Sequence, residues 1–390
     1  MSSDPLAWID DELKNLGEQN LLRVASVREG RQTTKTTLDG VECVNFSSND
    51  YLGLADDPRI ANAVANAIGD EGWGSGASPL VTGRAVPHAT LESKLAEFEG
   101  AESALLFPTG FAANAATIPA LVGRNDSVFS DAKNHASIID GCRLSGANVI
   151  VYDHVNTDDL RRKLSTVAAG RKLIVTDGLF SMDGNLAPLA AIAELAEQYG
   201  AMLMVDEAHA TGVIGENGRG VCEHFGVESP AIIRVGTLSK ALGSHGGFVV
   251  GQRRVIEWLR NRARAYVFST AAPAVVAQAG IAALEIVHEE PERREGVQHK
   301  AAVLRERLNA VGLNTGTSCS QIVPVILGDA QRTIETAEFL RSRGLLVPCI
   351  RPPSVPVGES LLRISVSYAH SDEMLELLAN VLAKLTPSDR

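Results

Sequence analysis

The 390-residue sequence has little of what marks several protein classes. With 47 acidic and 36 basic residues its formal net charge is −11, so it lacks the basic surface that nucleic-acid binding requires. Aromatic residues make up only 5% and charged residues 21%, whereas hydrophobic residues reach 45%. This composition indicates a folded globular protein, and the length allows a large domain plus a smaller one.

Cysteine pairs, a signal peptide and a long apolar run are also missing. The five cysteines form no CxxC pair, which predicts no metal site and favours free thiols in a reducing compartment. The N-terminus, MSSDPLAWIDDELKNL, is acidic and predicts a cytoplasmic protein. The most apolar stretch, 271–287, contains Pro273 and Gln278 and predicts a buried helix rather than a membrane span.

From about residue 57, short apolar strands alternate with amphipathic helices. The predicted strands are 103–107, 127–130, 148–152, 172–176, 202–206, 232–235 and 247–250. This alternation predicts an α/β fold, with a mostly parallel seven-stranded sheet between helices.

The sequence predicts three segments along the chain. Residues 1–56 form an N-terminal segment, with an amphipathic helix over 4–20 and a hairpin over 33–46. Residues 57–288 form the large domain, and residues 289–390 form a small α/β domain. The predicted strands of the small domain are 322–327, 345–348 and 362–366.

Asp206, His209 and Lys240 are the strongest functional signal. Asp206 ends the apolar run AMLMVD, at the strand end where α/β folds bind ligands. A buried aspartate needs a cationic partner, which the protonated ring nitrogen of pyridoxal phosphate would supply. His209 could contact the phenolic oxygen of that cofactor. Lys240, in the small-residue loop GTLSKALGSHGG, could form a Schiff base with its aldehyde.

The string DEAH at 206–209 also occurs in helicases, but the sequence has no upstream GxxxxGK[ST] loop to bind a nucleotide. A solvated surface lysine is the alternative for Lys240 taken alone. The surrounding small residues, which allow a close backbone approach to a ligand, favour the cofactor.

Other candidate site residues follow other predicted strands. Gly110 and Phe111 open a predicted helix whose free N–H groups suit a phosphate, and Thr237 could donate a hydroxyl to it. His135 either caps the next helix or stacks on a pyridine ring. Ser181 could donate to the phenolic oxygen.

Three further segments leave alternatives open. Arg363, in the apolar strand LLRISVS, either binds a substrate carboxylate through two hydrogen bonds or forms a structural ion pair. The glycine-rich loop 72–83 is either a flexible connection or an anion site shared with a neighbouring subunit. Five arginines in 253–264 form either a solvated helix face or a docking site for an anionic carrier.

Several motifs together resemble those of the α-oxoamine synthases, a family of pyridoxal-phosphate enzymes of fold type I. They are SSNDYLG (47–53), GSGAS, TGFAAN, VTDGLFSMDG, VDEAHATGVIGENGRG and GTLSKALGSHGG. The later segments SQIVPVILGD and IRPPSVPVGESLLRISVS resemble the biotin-pathway branch of this family. That branch implies condensation of L-alanine with a pimeloyl thioester, carried by coenzyme A or by acyl-carrier protein, in a homodimer.

The resemblance implies a role for each matching residue. For the cofactor, Lys240 is the Schiff-base lysine and general base, and Asp206 pairs with the ring nitrogen. His209 and Ser181 bind the phenolic oxygen, and His135 stacks on the ring. The phosphate is held by Gly110, Phe111 and Thr237, and by Thr270 or Ser269 of the partner subunit. For the substrates, Arg363 binds the amino-acid carboxylate, and Arg23, Asn49 and Ser354 lie nearby.

Other functions fit parts of this pattern. Another α-oxoamine synthase, such as a glycine C-acetyltransferase, is the nearest alternative. An aminotransferase shares the aspartate and lysine but not RPPSVP. A non-catalytic scaffold on this fold would be expected to lose Lys240, which is present here. A cofactor-dependent transcription regulator would need a basic helix-turn-helix before residue 57, which the sequence lacks.

Overall fold

The computed structural model describes residues 4–227, 229 and 231–384. The chain forms two compact units. The larger comprises Asn49–Ser181 and Asn185–Gln298, and the smaller comprises the chain up to Ser48, Met182–Gly184 and the chain from His299. The three predicted segments, divided at 56/57 and 288/289, stay a prediction, and their outer ends (1–3 and 385–390) lie outside the described residues.

The strands, numbered along the chain, are β1 (Arg28–Glu29), β2 (Lys35–Leu38), β3 (Val41–Asn45), β4 (Ser103–Phe107), β5 (Ser127–Asp131), β6 (Asn148–Tyr152), β7 (Lys172–Asp177), β8 (Met202–Asp206), β9 (Ile232–Thr237), β10 (Gly247–Gly251), β11 (Ile322–Gly328), β12 (Leu345–Leu346), β13 (Cys349–Ile350) and β14 (Ser360–Ser365).

The helices are α1 (Trp8–Glu18), α2 (Pro58–Glu71), α3 (Val86–Phe98), α4 (Gly110–Leu121), α5 (Ala136–Ser145), α6 (Thr157–Ser165), α7 (Leu189–Gln198), α8 (Val221–His224), α9 (Arg253–Arg262), α10 (Arg264–Val267), α11 (Ala274–Glu289), α12 (Glu292–Ala310), α13 (Ala330–Ser342) and α14 (Asp372–Leu382). The predicted glycine-rich loop ends in a short π-helical turn, Pro79–Gly83.

A seven-stranded sheet forms the centre of the larger unit, in the order β4, β10, β9, β8, β7, β5, β6. In this order, β9, β8, β7, β5 and β6 each run parallel to the next strand. The strand β10 lies between β4 and β9 and is antiparallel to both. Every residue of β5 and β10 is buried, as expected for apolar strands in a sheet with both faces covered. The predicted α/β fold is confirmed, and each of its seven strands lies where the sequence placed it.

The register of this sheet brings chemical groups to one edge. Asp177, the last residue of β7, pairs with Asp206, the last residue of β8, and Asp206 pairs in turn with Val235 of β9. Because these strands run parallel, the loops that follow them start from the same edge. The site described below is built on that edge.

The apolar stretch 271–287 forms most of α11, which is largely buried within the larger unit. Its burial fits the prediction of a core helix. Within the described parts of the chain, no helix combines the length and the apolarity needed to cross a membrane.

In the smaller unit, the predicted hairpin is present as β2 and β3, joined at Asp39 and Gly40, which both have positive φ. One prediction is wrong: the strand expected at 345–348 does not join the C-terminal layer. It is reduced to β12 and pairs in parallel with β3, whereas β11, β14 and β13 form a separate antiparallel sheet. Local sequence pattern does not reveal a partner about 300 residues away.

The predicted N-terminal helix is present as α1, shorter than the expected 4–20. None of its residues is buried in the chain. Leu13, on the predicted apolar face, is 47% exposed.

Gly247 is a position where the fold leaves no room for a side chain. A Cβ added there would lie 2.5 Å from the Gly110 nitrogen and from the Thr109 carbonyl carbon. We expect Gly247→Ala to lower the free energy of unfolding by about 1–3 kcal/mol, because β10 and the start of α4 must move apart.

Gly251→Ala, at the other end of β10, is the matched control, since its nearest atom would be the Ile232 carbonyl oxygen at 3.7 Å. Urea unfolding followed by circular dichroism measures both variants. Equal midpoints for the two would show that the close approach at Gly247 carries no constraint.

Candidate active site

Asp206 is a buried carboxylate held by two hydrogen-bond donors. It is 6% exposed, and the Ala208 N–H donates to its Oδ1 over 2.8 Å. Asn114, from α4, donates its side-chain amide to Oδ2 and also to Ser137 Oγ over 2.9 Å. Both carboxylate oxygens therefore have donors, which offsets part of the cost of burying the charge.

Asp177 is a second buried carboxyl group beside Asp206. Its Oδ2 accepts the His135 N–H over 3.0 Å, and its own N–H donates to Asn134 Oδ1 over 2.9 Å. Burial, followed by the negative charge of Asp206, raises the pKa of Asp177 well above 3.8, although the charge of Lys240 opposes the shift. Asp206 and Asp177 thus differ in their environment, and Asp177 is the carboxyl group that favours the protonated form.

His135 lies at the start of α5, where its Nδ1 accepts the Ser137 N–H over 3.3 Å. The capping alternative is therefore seen in the structure. The residue is exposed, and its ring meets the Phe111 ring edge-on, with centroids 6.5 Å apart. Desolvation by the surrounding protein lowers its pKa, Asp206 partly offsets this, and Lys240 adds to the lowering. An uncharged, accessible ring face is suited to stacking on an aromatic ligand.

His209 is 8% exposed and lies one short turn beyond Asp206. Its Nδ1 is 2.7 Å from the hydroxyl oxygen of Tyr51, which is fully buried. The Tyr51 hydroxyl donates to Asn49 Oδ1 over 3.0 Å. Asn49 and Tyr51 thus connect to His209 near the sheet edge where Asp206 lies, and the role of Asn49 toward a substrate stays a prediction.

The start of α4 forms a cradle for an anion. Thr109 caps this helix by accepting the Ala112 N–H over 3.0 Å, and Gly110 and Phe111 occupy its first turn. A Cβ added at Gly110 would lie 3.3 Å from Thr237 Cβ, so a larger residue would fill the space between them. The N–H groups and dipole at such a helix start favour a phosphate. The Thr237 hydroxyl itself donates to the Gly246 carbonyl over 2.8 Å.

Lys240 is half-buried in the loop after β9. Its charge acts on both Asp177 and His135, which places it at the same edge of the sheet. The loop turns back sharply, because the Gly243 N–H donates to the Lys240 carbonyl over 2.9 Å. Gly243 has φ +57°, and a Cβ there would lie 2.5 Å from the Leu54 carbonyl carbon, so glycine is required.

Two other predicted residues of the larger unit lie in different surroundings. Ser181 is half-buried in the loop after β7, and its role toward the phenolic oxygen stays a prediction. Thr270 is exposed and lines a pocket with Ser269, His245 and Gly246.

The remaining predicted residues belong to the smaller unit. Arg363 is 5% exposed on β14, where its Nη1 donates to Ser365 Oγ over 2.8 Å. Arg23 and Ser354 are exposed. Their roles toward a substrate stay predictions.

Four residues at this edge were not predicted from the sequence: Asn114, Ser137, Asp177 and Tyr51. Asn114, Asp177 and Tyr51 lie within the motifs TGFAAN, VTDGLFSMDG and SSNDYLG, and Ser137 lies two residues after His135, so the only signal for each was its neighbours. Tyr51 looks like a core aromatic residue in sequence. Among the residues that the structure describes, no group of His, Cys, Asp and Glu has a geometry suited to a metal ion.

The fold and this site define a class of protein. The model of the class I and II aminotransferase family matches residues 41–382, and the chain belongs to that family.

Within it, the chain is similar over its whole length to 8-amino-7-oxononanoate synthases. The enzyme of that name from Anaeromyxobacter sp. (strain K) is 47% identical over 393 residues, which cover 100% of this chain and 99% of the relative. A solved 8-amino-7-oxononanoate synthase from Francisella tularensis is 28% identical, with a TM-score of 0.76, and the match covers 88% of this chain and 97% of that one.

A serine palmitoyltransferase from S. paucimobilis, solved with bound PLP–myriocin aldimine, is 32% identical, with a TM-score of 0.92. The match covers 97% of this chain and 98% of that one. The comparisons confirm the resemblance to the α-oxoamine synthases and the fold type I architecture.

The raised pKa of Asp177 predicts how stability depends on pH. The folded chain keeps this proton above about pH 4 while the unfolded chain loses it, so the free energy of unfolding falls as pH rises through that window. Asp177→Asn retains an oxygen to accept the His135 N–H but cannot ionise. We expect its free energy of unfolding to fall less than that of the wild type between about pH 5 and about pH 8.

Urea unfolding of both cofactor-free proteins at the two pH values measures this difference. An identical fall in the two proteins would mean that Asp177 is ionised in the folded chain.

Proposed function

We propose that the protein condenses L-alanine with a pimeloyl thioester and releases 8-amino-7-oxononanoate, CO2 and the free thiol, a step of biotin biosynthesis. One observation carries this proposal. A buried carboxylate, a helix-start cradle and a lysine meet at one edge of the sheet in a chain 47% identical to an 8-amino-7-oxononanoate synthase.

Pyridoxal 5'-phosphate fits the groups at this edge. Asp206 offers a buried negative charge to the protonated ring nitrogen, and the start of α4 offers N–H groups to the phosphate. The space between Gly110 and Thr237, which a side chain would fill, is part of that fit. Lys240 would hold the aldehyde carbon covalently, and His135 would stack on the ring. His209 and Ser181 would bind the phenolic oxygen.

When bound, the cofactor supplies an electron sink that stabilises a carbanion at the alanine Cα. The side chains around it position the substrate and move protons. Arg363, whose guanidinium is held on β14, would bind the alanine carboxylate through two hydrogen bonds, with Asn49, Arg23 and Ser354 near the substrates. Lys240 Nζ would take the Cα proton, and later return a proton to the same carbon after CO2 has left.

Turnover assays with purified protein and added cofactor test the reaction. L-Alanine with pimeloyl-CoA should give 8-amino-7-oxononanoate and CO2 in equal amounts. Faster turnover of glycine with acetyl-CoA would instead identify a glycine C-acetyltransferase.

Lys240→Ala should abolish turnover, since a positioned base alone contributes about 10²–10⁴-fold and the covalent attachment is lost as well. We also expect the visible absorbance of the lysine-bound cofactor to disappear. Lys172→Ala, in β7, removes a lysine that contacts Tyr199 instead and should retain both turnover and absorbance. Turnover by Lys240→Ala would refute the assignment.

The working form is proposed to be a cytoplasmic homodimer. All five cysteines are free thiols in the structure, which fits a reducing compartment. In such a dimer, Thr270 or Ser269 would reach the phosphate in the site of the partner subunit.

The acyl group is proposed to arrive on an acyl-carrier protein that docks on α9. This helix buries Ile256 and Leu259 and turns Arg253, Arg254 and Arg262 to solvent. Arg262 lies over the ring of the exposed Trp258, at 5.5 Å, so the face combines positive charge with an aromatic surface. An acidic carrier is the partner that such a face complements, on a chain that is otherwise acidic.

Arg254→Glu and Arg262→Glu should each raise KM for the carrier-bound thioester about tenfold at low salt and leave KM for pimeloyl-CoA unchanged. Arg161→Glu makes the same charge change on α6 and is the control. Arg260 is a poorer choice because it is half-buried and its Nε is inaccessible. An equal effect of Arg161→Glu, or an effect on pimeloyl-CoA alone, would contradict docking on α9.

A further inference from the structure

We infer that Tyr51 is a positioning residue that fixes the protonation pattern of the His209 ring. Its hydroxyl oxygen lies 2.7 Å from His209 Nδ1 and 3.0 Å from Asn49 Oδ1, so one hydroxyl joins the two side chains. The role of His209 toward the cofactor rests on the function proposed above. The role of Tyr51 toward His209 rests on these two hydrogen bonds.

The direction of the two hydrogen bonds follows from counting protons. A tyrosine hydroxyl has one proton, and here it is donated to Asn49 Oδ1. The same oxygen therefore accepts at the His209 contact, so Nδ1 must carry a proton. In the neutral ring this selects the tautomer with Nδ1–H and an unprotonated Nε2.

Burial gives the arrangement its strength. Tyr51 is fully buried and His209 is 8% exposed, so water competes little for these hydrogen bonds. The rings are also in contact at a tilt, with centroids 6.1 Å apart, which limits rotation of the imidazole. The tautomer is thus set by protein groups and not by solvent.

The consequence for the proposed reaction is specific. Since Nδ1 is committed to Tyr51, any hydrogen bond between His209 and the phenolic oxygen of the cofactor is made by Nε2. Nε2 is then the ring nitrogen that gains or loses a proton. A proton shared between Nε2 and the phenolic oxygen can lie on either of these two atoms. Tyr51 would therefore influence the cofactor without touching it.

The test uses the full chain labelled with 15N-histidine, with and without pyridoxal phosphate. Nitrogen chemical shifts distinguish a protonated from an unprotonated ring nitrogen, and a His209→Gln sample assigns the signal among the nine histidines. We expect a protonated Nδ1 in the wild type. Tyr51→Phe should lose this preference, and kcat should fall about tenfold with KM for both substrates unchanged.

Asn49→Ala gives an independent check that does not remove the buried ring of Tyr51. Without its acceptor, the Tyr51 hydroxyl is expected to turn its proton toward His209, so Nδ1 becomes the acceptor and Nε2 carries the proton. Tyr152→Phe is the matched control, because it removes another buried hydroxyl, on the edge strand β6, which β5 and β7 separate from β8.

The outcomes separate the two proposals. An unprotonated Nδ1 in the wild type, an unchanged signal in Tyr51→Phe, or an equal change in Tyr152→Phe would overturn the role of Tyr51. A Tyr51-dependent signal in a protein that does not condense L-alanine with pimeloyl-CoA would support the role of Tyr51 and refute the proposed reaction.

Discussion

The candidate site depends on one carboxylate buried inside the protein. Asp206 stands at the end of a central strand, where an isolated ionised group would cost several kcal/mol. Two hydrogen bonds offset part of this cost, because the Ala208 N–H donates to one carboxylate oxygen and the Asn114 amide donates to the other. Asn114 can reach it only because α4 starts at the same sheet edge. The position of the helix and the state of the carboxylate are therefore linked.

A second buried carboxyl group, that of Asp177, lies beside Asp206. Asp177 and Asp206 are paired across β7 and β8, so ionising both would place two negative charges side by side in a buried region. Burial, together with the negative charge of Asp206, raises the pKa of Asp177, so Asp177 favours the protonated form. Asp206 is the carboxylate proposed to face the cationic ring nitrogen of the cofactor.

Sequence pattern predicted the sheet well because its strands are short, largely apolar runs. For the same reason the amino-acid pattern alone was enough to place Asp206, Gly110 and Lys240 at or just beyond strand ends. The groups that support them could not be found in this way. Asn114 is hydrogen-bonded to Asp206, 92 residues away in the sequence, and Tyr51 to His209, 158 residues away. Local sequence pattern carries no signal for contacts at such separations. The pairing of β12 with β3 escaped prediction for the same reason.

The residues also divide by unit in a way that bears on specificity. Those proposed to hold the cofactor, with Asp206 and Lys240 at their centre, all belong to the larger unit. Of the residues proposed to lie near the substrates, Asn49 belongs to the larger unit, and Arg23, Ser354 and Arg363 belong to the smaller one. A serine palmitoyltransferase shares this fold with a TM-score of 0.92 at only 32% identity. The backbone can thus be kept while many side chains change. Substrate choice is therefore proposed to depend on side chains outside the group around Asp206.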